Sequence, residues 1–382
     1  MSRDTFKTAG RIVVKVGSSS LVYPNGKPNI SRMEMLAREL SDLRNRGIDV
    51  LLVTSGAQGV GLKRLGLARR PASMPEKQAV AAVGQGMLMH MYEKLFAEYG
   101  VIVGQVLLTK EDFSDRKRFL NARNTMYSLM SFGVVPIINE NDTVAVDEIK
   151  LGDNDNLAAL VGCLVDADLL ILLSDVDGLY SGDPRSDSNA GLIREVRVIT
   201  GEMEKSAGGS GSRVGTGGMV TKLQAAKIAM HSGVAMVLAS ASEKDVVRRI
   251  ISGEEIGTVF WPLEKLANKK MWIAYSSSVQ GKITVDEGAA KALLFSGKSL
   301  LPSGIIGLEG DFEIGNTVSV TDPGGREIAR GIVNYSAGEI ERIKGKHSRD
   351  IKKILGHQDY DEVIHRNNLV PVYDTGRKEE DA

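Results

Sequence analysis

Cysteine is almost absent from this chain: Cys163 is the only one in 382 residues. One thiol cannot build an intramolecular disulfide framework, and the scarcity fits a reducing, cytoplasmic compartment. Cys163 lies in the apolar run Leu157–Val165, where a thiol acts as a small packing group rather than a nucleophile. Aromatic residues are also few, at 5%, which argues against a large sticky interface. The five histidines are scattered, so neither a Cys/His metal spacing nor a serine–histidine–aspartate arrangement emerges, and no protein-held metal site is expected. Neither sign of charge dominates, because 48 Lys and Arg balance 48 Asp and Glu. No global field therefore favours nucleic acid or an anionic membrane. Long apolar runs are missing too. Ile12–Val16 is short and broken by Lys15, and no segment approaches a membrane span.

What is abundant is glycine, with 42 residues, set in an alternation of apolar runs and helical patterns. Residues 11–16 read as a buried strand ending in Gly17-Ser18-Ser19-Ser20. Ser31 with Glu34 forms an S-x-x-E capping box, followed by Met33, Leu36, Ala37, Leu40 and Leu43 at helical spacing up to Gly47. A strand over 50–53 ends in Thr54-Ser55-Gly56. The pattern continues with helices over 76–99, 119–132, 156–165 and 222–231. Strands are expected over 101–108, 134–138, 169–173 and 235–239. Strand, helix, strand in this order predicts a mainly parallel sheet, with ligands at the carboxyl ends of its strands. Beyond about residue 262 the pattern changes to short strands near 282–285, 305–308, 317–320 and 328–333, with one helix near 288–294. The expected organisation is a domain over 1–262, a linker over 263–278, a β-rich domain over 279–366 and a disordered charged tail over 367–382.

Three stretches carry chemistry. Gly215-Thr216-Gly217-Gly218-Met219-Val220-Thr221-Lys222 is glycine-rich, opens a helical pattern and ends in lysine. Bare backbone, a helix N-terminus and an ammonium group together suit a phosphate, although the P-loop pattern is absent. Lys15, at the end of the first strand beside Gly17 and Ser18, is costly to bury without an anion. Gly152-Asp153-Asn154-Asp155-Asn156 puts two carboxylates and two amides before a helix, more than an N-cap and a turn require. Such a set can orient lysines, hold a metal-bound nucleotide or fix a substrate. Asn139-Glu140-Asn141-Asp142 is a second polar cluster. Lysines, donor-rich loops and positioning carboxylates suit phosphoryl transfer, in which charge neutralisation and alignment supply most of the catalysis.

These stretches, taken in order with Thr54-Ser55-Gly56-Ala57, Arg118–Arg123 and Ile283–Ala289, resemble the glutamate 5-kinases of the amino-acid kinase family. The last stretch falls in a part similar to a PUA domain, a module known in RNA-modifying proteins. The resemblance spans about residues 11–366. It implies a three-layer αβα kinase domain followed by a PUA-like domain. It also implies ATP-dependent phosphorylation of the L-glutamate γ-carboxylate at the head of proline biosynthesis. By motif position, Lys15 and Lys222 neutralise the transferring group, Asp155 orients both lysines, and Asp153 stands beside them. Ser55, Asp142 and Asn154 hold glutamate. Ser174, Asp175, Thr216, Gly217, Gly218, Met219, Val220, Thr221, Lys15 and Lys222 line the ATP site, and Mg2+ arrives with the nucleotide. The resemblance further implies a homo-oligomer, dimer or tetramer, feedback inhibition by proline, and hand-over of product to glutamyl phosphate reductase. RNA is a candidate partner of the PUA-like part, without support from the net charge. Rival readings are a kinase of the same fold acting on acetylglutamate, aspartate, carbamate or a nucleoside monophosphate, and an RNA-binding protein with an inactive kinase domain.

Overall fold

In the computed structural model, residues 1–23, 27–67, 69, 71–145, 154–182, 184, 190–207, 218–263, 273 and 279–371 are described. Ten strands belong to the first of two units, residues 1–265. They are β1 (Arg11–Val16), β2 (Asp49–Val53), β3 (Val103–Leu108), β4 (Val135–Glu140), β5 (Leu169–Ser174), β6 (Leu179–Tyr180), β7 (Leu192–Ile193), β8 (Glu195–Val196), β9 (Ala235–Ser240) and β10 (Thr258–Phe260). Eight of them form one sheet in the order β3-β4-β2-β1-β5-β9-β10-β8, while β6 and β7 pair separately. The six from β3 to β9 are mutually parallel, and β10 runs antiparallel to β9. A mainly parallel α/β sheet is therefore present.

The helices are α1 (Ser18–Leu21), α2 (Ile30–Asn45), α3 (Ala57–Arg64), α4 (Met74–Ala97), α5 (Lys110–Ser114), α6 (Arg116–Ser131), α7 (Asn154–Leu164), α8 (Gly201–Ala207), α9 (Met219–His231) and α10 (Val246–Ile251). The period of two along each strand divides the side chains between two faces. Ile12, Val14 and Val16 of β1, with Val50 and Leu52 of β2 and Leu169, Ile171 and Leu173 of β5, pack into one core with residues of α2, α4 and α10. Lys15 alternates onto the opposite face, where α7 lies across β1 and β5 and against α9. Helix, sheet and helix thus form three layers.

Several local expectations change. The α2 N-cap is Asn29, whose side chain accepts from the Arg32 N–H, and Ser31 falls inside the helix. Asn caps as well as Ser, so the earlier start adds a bonded residue at no loss. Helix α3 was not foreseen, because Ala57-Gln58-Gly59-Val60-Gly61 is poor in helix formers; packing against α4 supports it. Those two helices touch backbone to backbone. A Cβ on Gly84 would lie 1.7 Å from the Ala57 carbonyl oxygen, and one on Gly61 would lie 2.0 Å from that of Val80. Cys163 on α7 is half-buried rather than buried.

The second unit, residues 266–382, has its own sheet and core. Its strands are β11 (Val279–Val285), β12 (Ile305–Glu309), β13 (Thr317–Thr321), β14 (Glu327–Ile332) and β15 (Leu369–Pro371), in the order β12-β11-β13-β14-β15. The expected tail is corrected here. Leu369–Pro371 pair antiparallel with β14, Leu369 joins that core, and Val370 is buried as well, so the strand is held by ladder bonds and apolar burial together. Residues 372–382 lie outside the described set, as do 264–272 and 274–278 of the expected linker.

Candidate active site

The carboxyl ends of β1, β2, β4, β5 and β9 all lie along one edge of the parallel sheet, and each ends in small or polar residues. Lys15 leaves β1 toward α7. There its Nζ pairs with one oxygen of Asp155, in the first turn of that helix. The other oxygen of Asp155 pairs with Nζ of Lys222 at 3.2 Å. Lys222 comes from the first turn of α9, which packs against α7. All three side chains are almost fully buried, with Asp155 only 1% exposed. Burial pushes the Asp155 carboxyl up, but the flanking ammonium groups of Lys15 and Lys222 outweigh it and hold the carboxyl below its ordinary range. It is therefore ionised at neutral pH. The result is two cations from distant parts of the chain converging on one anion.

The start of α9 is itself an anion site in outline. Gly218, in extended conformation, caps it, and its carbonyl accepts from the Thr221 and Lys222 N–H groups at 3.2 and 3.4 Å, so the N–H groups of Met219 and Val220 precede the first bond of this 13-residue helix. The Thr221 hydroxyl donates back to the Gly218 carbonyl at 2.8 Å, and Val220 is exposed. Across the edge, the Ser174 hydroxyl ends β5 and donates to exposed Asp175 at 2.9 Å. Thr216, Gly217 and Asp153 lie outside the described residues.

On the other side of the lysines is a chain of amides. Asn154 opens α7, so it belongs to the helix and not to a preceding turn. Its Nδ2 shares two hydrogens among three acceptors, the Thr54 carbonyl at 2.5 Å, Ser55 Oγ at 2.9 Å and Asn139 Oδ1 at 2.9 Å. Because Ser55 Oγ accepts there, its own hydrogen is left to point elsewhere. Thr54 is fully buried, and its hydroxyl meets Tyr92 OH of α4 at 2.8 Å. Burial pushes the Tyr92 phenol far up, so it stays protonated. Gly56, at φ 97°, then turns the chain into α3. The next residue but one, Gln58, reaches Asp142 Oδ1 at 3.4 Å. Ser55, Asn154 and Asp142 thus surround the start of α3.

Two residues of the candidate site escaped the sequence reading. Asn139 lay in a noted cluster without a role, yet it is buried at the end of β4 and bonds Asn154 directly. Gln85 of α4 is also buried and bonds Asn139 at 2.8 Å. The signal for Asn139 was a polar residue closing the apolar run Pro136-Ile137-Ile138. Gln85, between two glycines in a long helix, looked like a surface position.

Both oxygens of the buried Asp155 carboxylate already carry lysines, and among the described residues no group of three acidic, histidine or cysteine side chains converges. Magnesium commonly binds through substrate phosphates with few protein ligands, so these residues fit an ion brought in on a nucleotide.

A mainly parallel αβα unit with two lysines on one carboxylate at the sheet's carboxyl edge, followed by a separate β-rich unit, defines a phosphotransferase class. The amino acid kinase family model matches residues 10–240, and the PUA domain model matches residues 281–355. Curated relatives named glutamate 5-kinase align over nearly the full length. That of Carboxydothermus hydrogenoformans is 56% identical over 97% of this chain and all of its own. That of Caldanaerobacter subterraneus subsp. tengcongensis is 56% identical over 96% and 99%, and that of Geobacter sp. strain M21 is 49% identical over 97% and 100%. A solved UMP kinase from Bacillus anthracis matches with a TM-score of 0.46 at 18% identity, over 66% of this chain and 96% of that one. The chain belongs to the glutamate 5-kinases of the amino acid kinase family, and it is an enzyme, a kinase.

Proposed function

We propose that this enzyme transfers the γ-phosphoryl group of ATP to the γ-carboxylate of L-glutamate, yielding L-glutamyl 5-phosphate and ADP at the head of proline biosynthesis. The observation that carries the reading is the convergence of Lys15 and Lys222 on Asp155, beside an amide-lined turn. A carboxylate oxygen of glutamate attacks the γ-phosphorus as the bond to the β–γ bridging oxygen breaks. Lys15 and Lys222 offset the charge on the transferring group and on the leaving ADP. The acceptor is already anionic at neutral pH, so no general base is required, in keeping with a site built without histidine. Magnesium, when carried in on the nucleotide, would add charge neutralisation at the phosphates. Ser55 donates its hydroxyl hydrogen to a substrate carboxylate, Asn154 and Asp142 complete the acid-binding side, and Asp142 suits the α-ammonium. Ser174, Asp175 and the start of α9 hold the nucleotide, with Thr216 and Gly217 assigned there, and Asp153 assigned to the catalytic group beside Asp155, by motif position. Proline, also an amino acid, would compete for the same acid-binding side.

The test measures ADP release with ATP and, in turn, glutamate, acetylglutamate, aspartate, carbamate and UMP. Glutamate is the expected acceptor; efficient turnover of another with glutamate inert rules the reading out. Lys222→Ala is expected to lower kcat by about 10²-fold or more with the folded CD spectrum retained. Turnover near that of the wild type in this variant would remove Lys222 from the chemistry.

A further inference from the structure

Hydrogen-bond polarity can be read along the amide chain behind the acid-binding turn. The Glu140 backbone N–H donates to Asn139 Oδ1 at 2.9 Å. A backbone N–H can only donate, so Asn139 must present its oxygen to Glu140 and to Asn154 Nδ2, and its own Nδ2 to Gln85. Gln85 must then present Oε1, and its Nε2 is turned away into the interior. That Nε2 is buried and has no hydrogen-bond partner. An unsatisfied buried donor is destabilising, and an apolar side chain of the same length would avoid it. The packing around Gln85 is equally specific. Its neighbour Gly84 allows α4 to touch the first turn of α3 at Ala57, directly behind Ser55.

We infer that Gln85 is a positioning residue for the acid acceptor: through Asn139 it fixes the orientation of Asn154 and hence of the Ser55 hydroxyl. The inference rests on the proposed glutamate-binding role of Ser55 and Asn154. Without the Gln85 acceptor, the Asn139 Nδ2 is left without a partner, and the amide is held on its oxygen side alone, by the Glu140 N–H and Asn154 Nδ2. The amide plane then swings about that side, the Asn154 contact loosens, and Ser55 loses the fixed partner that aims its hydrogen. Gln85 is separated from the Lys15–Asp155–Lys222 cluster by these two amides, so the effect falls on acceptor binding and not on the nucleotide.

The test is steady-state kinetics of the full-length enzyme carrying Gln85→Met, alone and with Asn139→Ala. The wild type serves as the control for the underlying reading: if it does not phosphorylate glutamate, that reading fails before the variant is considered. With an active wild type, Gln85→Met is expected to raise KM for glutamate about tenfold. Its KM for ATP and its kcat stay within about threefold, the pattern of lost ground-state binding. Thermal stability changes little, because one buried orphan donor replaces another. Adding Gln85→Met to Asn139→Ala is expected to cause no further rise. An unchanged KM for glutamate, an equal rise in both KM values, or additive effects in the double variant would each overturn the inference. Should Gln85→Met fail to fold, Gln85→Glu, which keeps the acceptor toward Asn139, is measured at a pH low enough to hold it neutral. A KM for glutamate within threefold of wild type there supports the role; a tenfold rise counts against it.

Discussion

At the scale of single residues, Asp155 is held from both sides. It is buried, ionised and bonded to two ammonium groups. Removing one member of a buried charge cluster strands the others, a loss of about 3–5 kcal/mol. Asp155→Asn is therefore expected to lower both stability and kcat, the latter by about 10²–10³-fold, as measured by urea unfolding and initial rates. The pH dependence has a definite sign. The carboxyl is more acidic folded than unfolded, so its contribution is complete above the unfolded value of about 3.9 and is lost as pH falls through the folded value. The stability gap between wild type and Asp155→Asn should be widest near neutrality and close progressively below about pH 4. A gap that persists unchanged into acid would contradict the ion pairing.

At the scale of elements, the contact between α3 and α4 packs the helix that follows Ser55 and Gly56 backbone to backbone against its neighbour. A methyl group on Gly84 has no space beside the Ala57 carbonyl oxygen. Gly84→Ala is expected to force the helices apart, lowering stability by about 1–3 kcal/mol or more and raising KM for glutamate. A Tm and a KM both equal to those of the wild type would show that the helices can shift at no cost. This contact also marks the limit of what the sequence discloses. Lys15, Asp155 and Lys222 were legible because each stands at a strand end or helix start where its charge needs a partner. Asn154 and Ser55 were legible through motif order. Gln85 and Gly84 were not, since a glycine within a helical pattern looks like a mere weakening of it, and a lone glutamine in a helix looks solvated. Only the approach of a second helix gives either a meaning. Helix α3 was missed for the same reason, and β15 because three residues near the end of a chain carry too little periodicity to register.

At the scale of the whole molecule, the chain is two units with separate sheets and separate cores. Every described residue assigned to catalysis lies in the first. A fragment ending at Lys265 is expected to unfold cooperatively and to retain glutamate-dependent ADP release; complete inactivity of that fragment, folded and soluble, would show that the second unit helps to build the site. Within the first unit, the site draws its two lysines from opposite ends of the domain's sequence. Two ammonium groups repel, and bringing them together around each incoming nucleotide would burden every turnover. Here Asp155 gathers them when the chain folds. Their repulsion is overcome once in the lifetime of the molecule, and each catalytic cycle begins from a charge arrangement that needs little further adjustment.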